Sequence, residues 1–303
     1  MKRIIVFCLL SLSMQVDAKT VLVFGGKTGW IGKKIVRLFE DIGHQVVCAQ
    51  SRLEDRQALI VEIERVKPQY LVNAAGIIGR PNVDWCEDHK QETIRTNVIG
   101  TLTLADVAYL HNLHLTNIST GCIYEYDDKH PMGSGRGFTE EDAPNFNGSF
   151  YSRTKIHMED LLLHYPNVLN LRVKMPISSE LEVGFIGKIT KYKKIINVPN
   201  SLCVLEDLLP LVIDMTLGEI KGNYNFVNPG TMSHNEVLDL YKEYIDPMLT
   251  YENFTLEEQD KILKARRANA ELSAEKLMKL YPHLPHIKTS LQKLFKNVVD
   301  VHD

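Results

Sequence analysis

The segment Val21-Leu22-Val23-Phe24-Gly25-Gly26-Lys27-Thr28-Gly29-Trp30-Ile31-Gly32 passes from an apolar, β-branched run into a glycine-rich turn and then into a helix-like pattern. Gly26, Gly29 and Gly32 fall at the spacing G-x-x-G-x-x-G. Glycines at such positions let the backbone turn tightly and approach a pyrophosphate, which then rests on the positive end of the helix. Thr28, Trp30 and Ile31 complete the expected cofactor turn. An ordinary tight turn has the same look, so the reading depends on what surrounds it.

What surrounds it is a repeated alternation of short apolar runs and helical stretches. Strands are expected over residues 20–24, 45–49, 70–73, 115–119 and 168–173, and helices over 31–42, 56–66, 92–111 and 151–164. That order predicts an α/β fold, a Rossmann-like doubly wound parallel sheet over residues 19–175. A long Gly-, Asp- and Pro-rich loop fills residues 125–148, a length that usually signals function. Beyond Met175 the rhythm loosens into a strand over 224–228, a helix over 234–245 and a charged segment over 256–267. Residues 176–303 are therefore expected to form a smaller C-terminal substrate lobe that shares a cleft with the first domain.

The chain has 303 residues, 44% hydrophobic and 24% charged, enough to bury a core without disulfide or metal. Its formal charge of -3, with no long Lys/Arg run, argues against nucleic acid as a partner. Cys8, Cys48, Cys86, Cys122 and Cys203 are scattered and form no C-x-x-C, so no disulfide framework or metal site is expected. Residues 1–18 imitate a signal peptide, with Lys2-Arg3, an apolar run over 4–12 and the small-residue end Val16-Asp17-Ala18. They read either as that or as a loosely packed extension; a cytoplasmic location is the expectation, with the secretory pathway as the alternative.

The second strand runs into Gln50-Ser51-Arg52, where an NAD-preferring protein would set an acid against the ribose hydroxyls. Arg52 can pair with a 2′-phosphate and Ser51 can add a hydrogen bond, which favours NADPH and leaves NADH as the alternative. Asn73, Ala74, Ala75 and Gly76 close the third strand as a further small-residue wall for the cofactor. In Tyr151-Ser152-Arg153-Thr154-Lys155 the phenol and the amine stand four apart on one helix face. A nearby ammonium is expected to lower the Tyr151 pKa and make it a proton donor to a developing alkoxide, with Thr120 holding the substrate carbonyl beside it.

With these residues in hand the sequence resembles the extended short-chain dehydrogenase/reductases, in their dTDP-4-dehydrorhamnose reductase branch. It is most similar there to the bifunctional 3,5-epimerase/4-reductases. The stretches that carry the resemblance include Gly29-Trp30-Ile31-Gly32, Gly79-Arg80-Pro81-Asn82-Val83-Asp84-Trp85-Cys86, Thr120-Gly121-Cys122-Ile123-Tyr124, Met175-Pro176-Ile177-Ser178-Ser179, Pro199-Asn200-Ser201 and Asn228-Pro229-Gly230. The resemblance covers nearly everything after Lys19.

It implies epimerisation at C3 and C5 and NADPH-dependent reduction at C4 of a UDP- or dTDP-linked 4-keto-6-deoxyglucose. By position the epimerase acid/base pair falls on Cys122 and Lys188, although the stretch Glu180-Leu181-Glu182-Val183-Gly184 is shorter than the family pattern. Tyr151 and Lys155 carry the reduction and touch the cofactor, while Trp85, Thr120, Asn200 and Arg267 fall where the branch contacts its nucleotide sugar. A separate 4,6-dehydratase must supply the keto sugar, and a homodimer is an expected assembly. Two other readings stay open: a plain 4-reductase in which Cys122 and Lys188 are passive, and a non-catalytic NADP-binding regulatory subunit.

Overall fold

The computed structural model describes residues 17–302; of the signal-like segment 1–18, residues 1–16 lie outside the described residues. The first half winds as β1 (Thr20–Phe24), α1 (Trp30–Asp41), β2 (Gln45–Cys48), α2 (Arg56–Val66), β3 (Tyr70–Asn73), β4 (His114–Thr120) and β5 (Val168–Val173), with further helices before and after β4. All sheet neighbours are parallel, in the order β2-β1-β3-β4-β5 followed by the strand Gly222–Phe226.

Strand periodicity explains the two helical layers. Val21 and Val23 face Ile35 and Phe39 of α1 and the helix Leu205–Leu217. Leu22 and Phe24 face Leu59 and Ile63 of α2, Leu104 of Thr101–Leu110 and Met158 of Phe150–Leu162. Both faces of the sheet are thus covered, as a parallel sheet requires. The Asp55 side chain caps α2 by accepting from the Ala58 N–H, and Lys67 closes that helix at a left-handed φ of 51°.

Two expectations need correction. The single helix expected over 92–111 is Lys90–Ile94 and Thr101–Leu110 joined by a π-helical turn, Arg95–Gly100. The cause is Asn97, whose amide pairs with both backbone groups of Ile77 at 2.8 Å and draws the helix wall towards the end of β3. The boundary expected at residues 175/176 is also crossed. Leu205–Leu217 and Gly222–Phe226 return to the main sheet, because their apolar residues join the same core as β1 and β5. The smaller lobe has its own core, including Ile177, Ile189, Ile195, Leu238, Leu291 and Phe295. Among the described residues no helix is long and apolar enough to cross a membrane.

A polar ladder runs through the sheet. Asn73, Asn117, Asn170 and Asn223 are in register on four adjacent strands. Asn73 donates to Asn117 and Asn117 to Asn170, each at 2.8 Å, and Asn170 reaches Asn223 at 3.0 Å. The ladder ends on Glu159 of the helix Phe150–Leu162, which accepts from Asn170 at 2.8 Å and is ion-paired with buried Arg172.

Candidate active site

The strand ends that point the same way carry the expected site residues to one edge of the sheet. At the β1–α1 turn the residue in the left-handed region is Gly25, with φ 78°. A Cβ on Gly25 would lie 2.8 Å from the Ala74 carbonyl, on Gly29 2.7 Å from the Gly25 oxygen, and on Gly32 2.3 Å from that oxygen. Gly25 was not among the expected turn glycines; the signal for it was its place directly after the strand. The first-turn N–H groups of α1, on Trp30 and Ile31, have no partner within the helix and are available to an anion. Their side chains do something else, packing against the core. Trp30 donates to Glu180 at 3.0 Å, and Lys34 pairs with the same carboxylate at 2.6 Å.

At the end of β2 Arg52 is exposed and forms no ion pair among the described residues. Ser51 is a correction: its N–H and its hydroxyl both donate to Glu62, at 2.9 and 2.5 Å, so neither donor is left for a phosphate. Burial pushes the Glu62 carboxyl up, but the hydrogen bonds from Ser51 and Gln50 outweigh it and hold the group below its usual range. Asn73 accepts from the Ala75 N–H at 3.1 Å and shapes the β3 end. The Lys155 ammonium reaches this wall, lying 3.8 Å from where a Cβ on Gly76 would sit. A backbone cradle closed to any Cβ, with a lone guanidinium at the second strand end, fits a nicotinamide dinucleotide.

The expected catalytic residues Thr120, Tyr151 and Lys155 come from β4 and the helix Phe150–Leu162. Thr120 Oγ1 accepts from the Cys122 N–H at 3.1 Å, and Ser152 donates to the Cys122 carbonyl at 2.6 Å. Ser149 caps the helix by accepting from the Ser152 N–H at 3.0 Å. Tyr151 and Lys155 are buried on successive turns. The expected lowering of the Tyr151 pKa is reversed: burial first, then the neighbouring Cys122, push the phenol up, and the Thr120 hydroxyl only partly offsets this. Burial lowers Lys155 to about 8 against the pull of Glu159. Tyr151 therefore stays protonated near neutrality and is ready to donate.

A cleft of about 770 Å³ lies over these groups, lined among others by Cys122, Tyr151, Lys188, His234, Arg267 and Asn269. Lys188, from the short helix Ile186–Ile189, is placed on the same cleft as Cys122; desolvation and then Arg267 lower its amine. Arg267 is braced by Asp84 at 2.8 Å. Trp85 and Asn200 depart from expectation. Trp85 stacks on His89 with centroids 3.9 Å apart and does not line the cleft. Asn200 is completely buried, its amide used on Val198, Asn269 and Ala270, so it positions the cleft wall from behind. His234 and Met175, both cleft-lining, were not expected there.

A dinucleotide cradle feeding a buried Tyr/Lys helix defines a nicotinamide-dependent enzyme fold of the extended short-chain dehydrogenase/reductase type. The chain belongs to the NAD dependent epimerase/dehydratase family, whose description matches residues 21–182. It is 56% identical over 270 residues to a bifunctional dTDP-4-dehydrorhamnose 3,5-epimerase/dTDP-4-dehydrorhamnose reductase of Arabidopsis thaliana, covering 88% of this chain and 90% of the relative. The crystal structure of the L780 UDP-rhamnose synthase of Acanthamoeba polyphaga mimivirus superposes with a TM-score of 0.87 at 39% identity, over 92% of this chain and 99% of that one. A trifunctional Arabidopsis thaliana relative, named for UDP-glucose 4,6-dehydratase, epimerase and reductase activities, is 55% identical over 88% of this chain, which spans 40% of its length. The dTDP-4-dehydrorhamnose reductase of Bacillus anthracis, solved with NADP, shares the fold with a TM-score of 0.75 at 15% identity, over 92% of this chain and 98% of that one.

Proposed function

We propose that the protein converts a nucleotide-linked 4-keto-6-deoxyglucose to the nucleotide-linked L-rhamnose, by 3,5-epimerisation and NADPH-dependent 4-reduction. The observation that carries this reading is that Cys122 and Lys188 line the same cleft as Tyr151. The C4 carbonyl acidifies the protons at C3 and C5, so an acid/base pair can remove a proton from one face and return one to the other. In this reading Thr120 and Tyr151 hold the oxyanion at C4. When bound, a reduced nicotinamide dinucleotide held by the Gly25–Gly32 turn would supply a hydride to C4. Tyr151 gives the proton to the C4 oxygen, and Lys155 orients the cofactor ribose. Arg267, braced by Asp84, is the cation offered to the nucleotide diphosphate.

The reading is tested by giving purified protein UDP- and dTDP-4-keto-6-deoxyglucose with NADPH and identifying the sugar by NMR. L-Rhamnose in the product is the expected outcome; no NADPH oxidation with either substrate sinks it. A separate 4,6-dehydratase supplies the substrate, and a homodimer is the assembly we expect.

The cofactor preference rests on Arg52. Arg52→Ala is expected to weaken NADPH binding about ten- to a hundredfold, the worth of one charge-assisted hydrogen bond, and to leave NADH binding nearly unchanged. Titration of intrinsic fluorescence with each cofactor reads this without turnover; equal losses for both cofactors would remove Arg52 from the 2′-phosphate.

A further inference from the structure

Glu180 does not line the cleft, yet both of its carboxylate oxygens are taken by α1. Trp30, the first residue of that helix, donates its indole N–H to one oxygen at 3.0 Å. Lys34, one turn further on, pairs with the other at 2.6 Å. The hydrogen bond from Lys34 holds the Glu180 carboxyl below its usual range, so the group is charged near neutrality. Glu180 is half-exposed, and an ion pair of that kind adds little to the stability of the whole molecule. Its effect is local and falls on the loop that Glu180 begins.

That loop leads to Lys188. The Val183 N–H donates to the Glu180 carbonyl at 3.0 Å, the Phe185 N–H to the Pro176 carbonyl at 3.4 Å and the Lys188 N–H to the Phe185 carbonyl at 3.2 Å. Two glycines press it against its neighbours. Gly184 has a left-handed φ of 72°, and a Cβ there would lie 2.7 Å from the Trp30 ring. A Cβ on Gly187 would have no room against the Glu182 carbonyl, so the helix Ile186–Ile189 rests directly on the loop. Trp30 thus holds the stretch at two points, Glu180 with its N–H and Gly184 with its ring edge. Leu181 and Phe185 pack on the core of the smaller lobe, whereas Trp30 packs on the core of the main sheet. The other carboxylate of the loop, Glu182, is exposed and pairs only with Lys191, at 3.9 Å, among the described residues.

We infer that Glu180 is a positioning residue for Lys188: it ties residues 180–187 to α1 and so sets where the Lys188 amine stands over the cleft during epimerisation. The inference rests on the function proposed above. In the step concerned, the Lys188 ammonium gives a proton to the enolate carbon, whose electron pair forms the C–H bond, and water in the cleft returns a proton to the amine. Glu180 touches none of these atoms. The first turn of α1 has free backbone N–H groups for the dinucleotide. Through the side chain of Trp30 the same turn also steadies the Lys188 loop.

The test compares wild type with Glu180→Ala, Glu180→Gln and, as a control, Glu182→Ala, each as the full-length protein. Deuterium wash-in at C3 and C5 is followed by NMR with NADP⁺ in place of NADPH, so that no reduction intervenes. In Glu180→Ala its kcat is expected to fall about ten- to a hundredfold with little change in KM, the scale of a reacting group misplaced by about an ångström. Glu180→Gln, which still offers an oxygen to the indole N–H, keeps most of the rate, and Glu182→Ala is unchanged. Reduction of an already epimerised 4-keto sugar nucleotide at saturating NADPH is the same in all four proteins, as is the melting temperature. Amide hydrogen exchange over residues 181–191, measured without substrate, speeds up in Glu180→Ala and not in the control. Wild-type wash-in in the alanine variant, or an equal loss of reduction, overturns the inference. If wild type itself neither exchanges nor makes rhamnose, the function proposed above fails. Faster amide exchange in Glu180→Ala then still upholds Glu180 as the tie of the Lys188 loop, and unaltered exchange removes that too.

Discussion

Tyr151→Phe leaves a folded protein whose NADPH oxidation is slower by about 10²- to 10⁴-fold, the usual worth of a positioned proton donor. The substitution removes one oxygen and keeps the ring, and the ring is what the surrounding burial holds. No other group takes over easily. Thr120 is an aliphatic alcohol, a far weaker acid than a phenol, and Lys155 is turned towards the β3 end. Since Tyr151 is pushed above its ordinary range, its own titration does not limit the rate near neutrality. Lys155 is the group that titrates, near 8. Its folded pKa lies below the ordinary lysine value of 10.5, so between about 8 and 10.5 the unfolded chain holds a proton the native one has lost. By linkage its contribution to stability rises with pH across that window. Single-turnover loss of reduced-nicotinamide absorbance decides the main point: a Tyr151→Phe protein that oxidises NADPH at the wild-type rate removes the phenol from the chemistry.

Cys122→Ala separates the two halves of the reaction. Deuterium exchange at C3 and C5 is expected to fall by about 10²-fold or more, the scale of a lost general base, while an already epimerised substrate is still reduced. The reason lies in the backbone. The Cys122 N–H is held by Thr120 and its carbonyl by Ser152, so the loop keeps its place whatever the side chain. NMR in deuterated buffer measures the exchange. Undiminished exchange in Cys122→Ala would reduce the enzyme to a plain 4-reductase whose substrate is epimerised elsewhere.

The wound sheet was readable because its signals are local and periodic. Val21 and Val23 alternate with Leu22 and Phe24 between two helical layers, and Tyr70–Asn73 ends where the sequence changes to small residues. Leu205–Leu217 escaped because Pro210 stands inside it, a residue that ordinarily interrupts a helix. The π-helical turn at Arg95–Gly100 is imposed by a side-chain pairing with Ile77, twenty residues away in sequence, that no period records. In the candidate site, spacing pointed to Tyr151, Lys155 and Thr120 and family resemblance to Cys122 and Lys188, and of these Cys122, Tyr151 and Lys188 line one cleft. Position is not orientation, however. Trp85 found His89 as a stacking partner, Asn200 turned to the wall behind the cleft, and Ser51 gave its hydrogens to Glu62.

The asparagine ladder also bears on how the chain can assemble. Sliding any one of its strands by a single residue would turn that strand's asparagine to the opposite face of the sheet and leave its neighbours' amides without partners. Each stranded buried amide costs about 1–3 kcal/mol, so the penalty counts against every misaligned pairing and not only against the loss of the right one. The strand Gly222–Phe226 most needs such a key. It reaches the sheet only after the chain has travelled through much of the smaller lobe, with no tight turn to dictate its alignment. Asn223 meets Asn170 and so gives this late arrival a side-chain address.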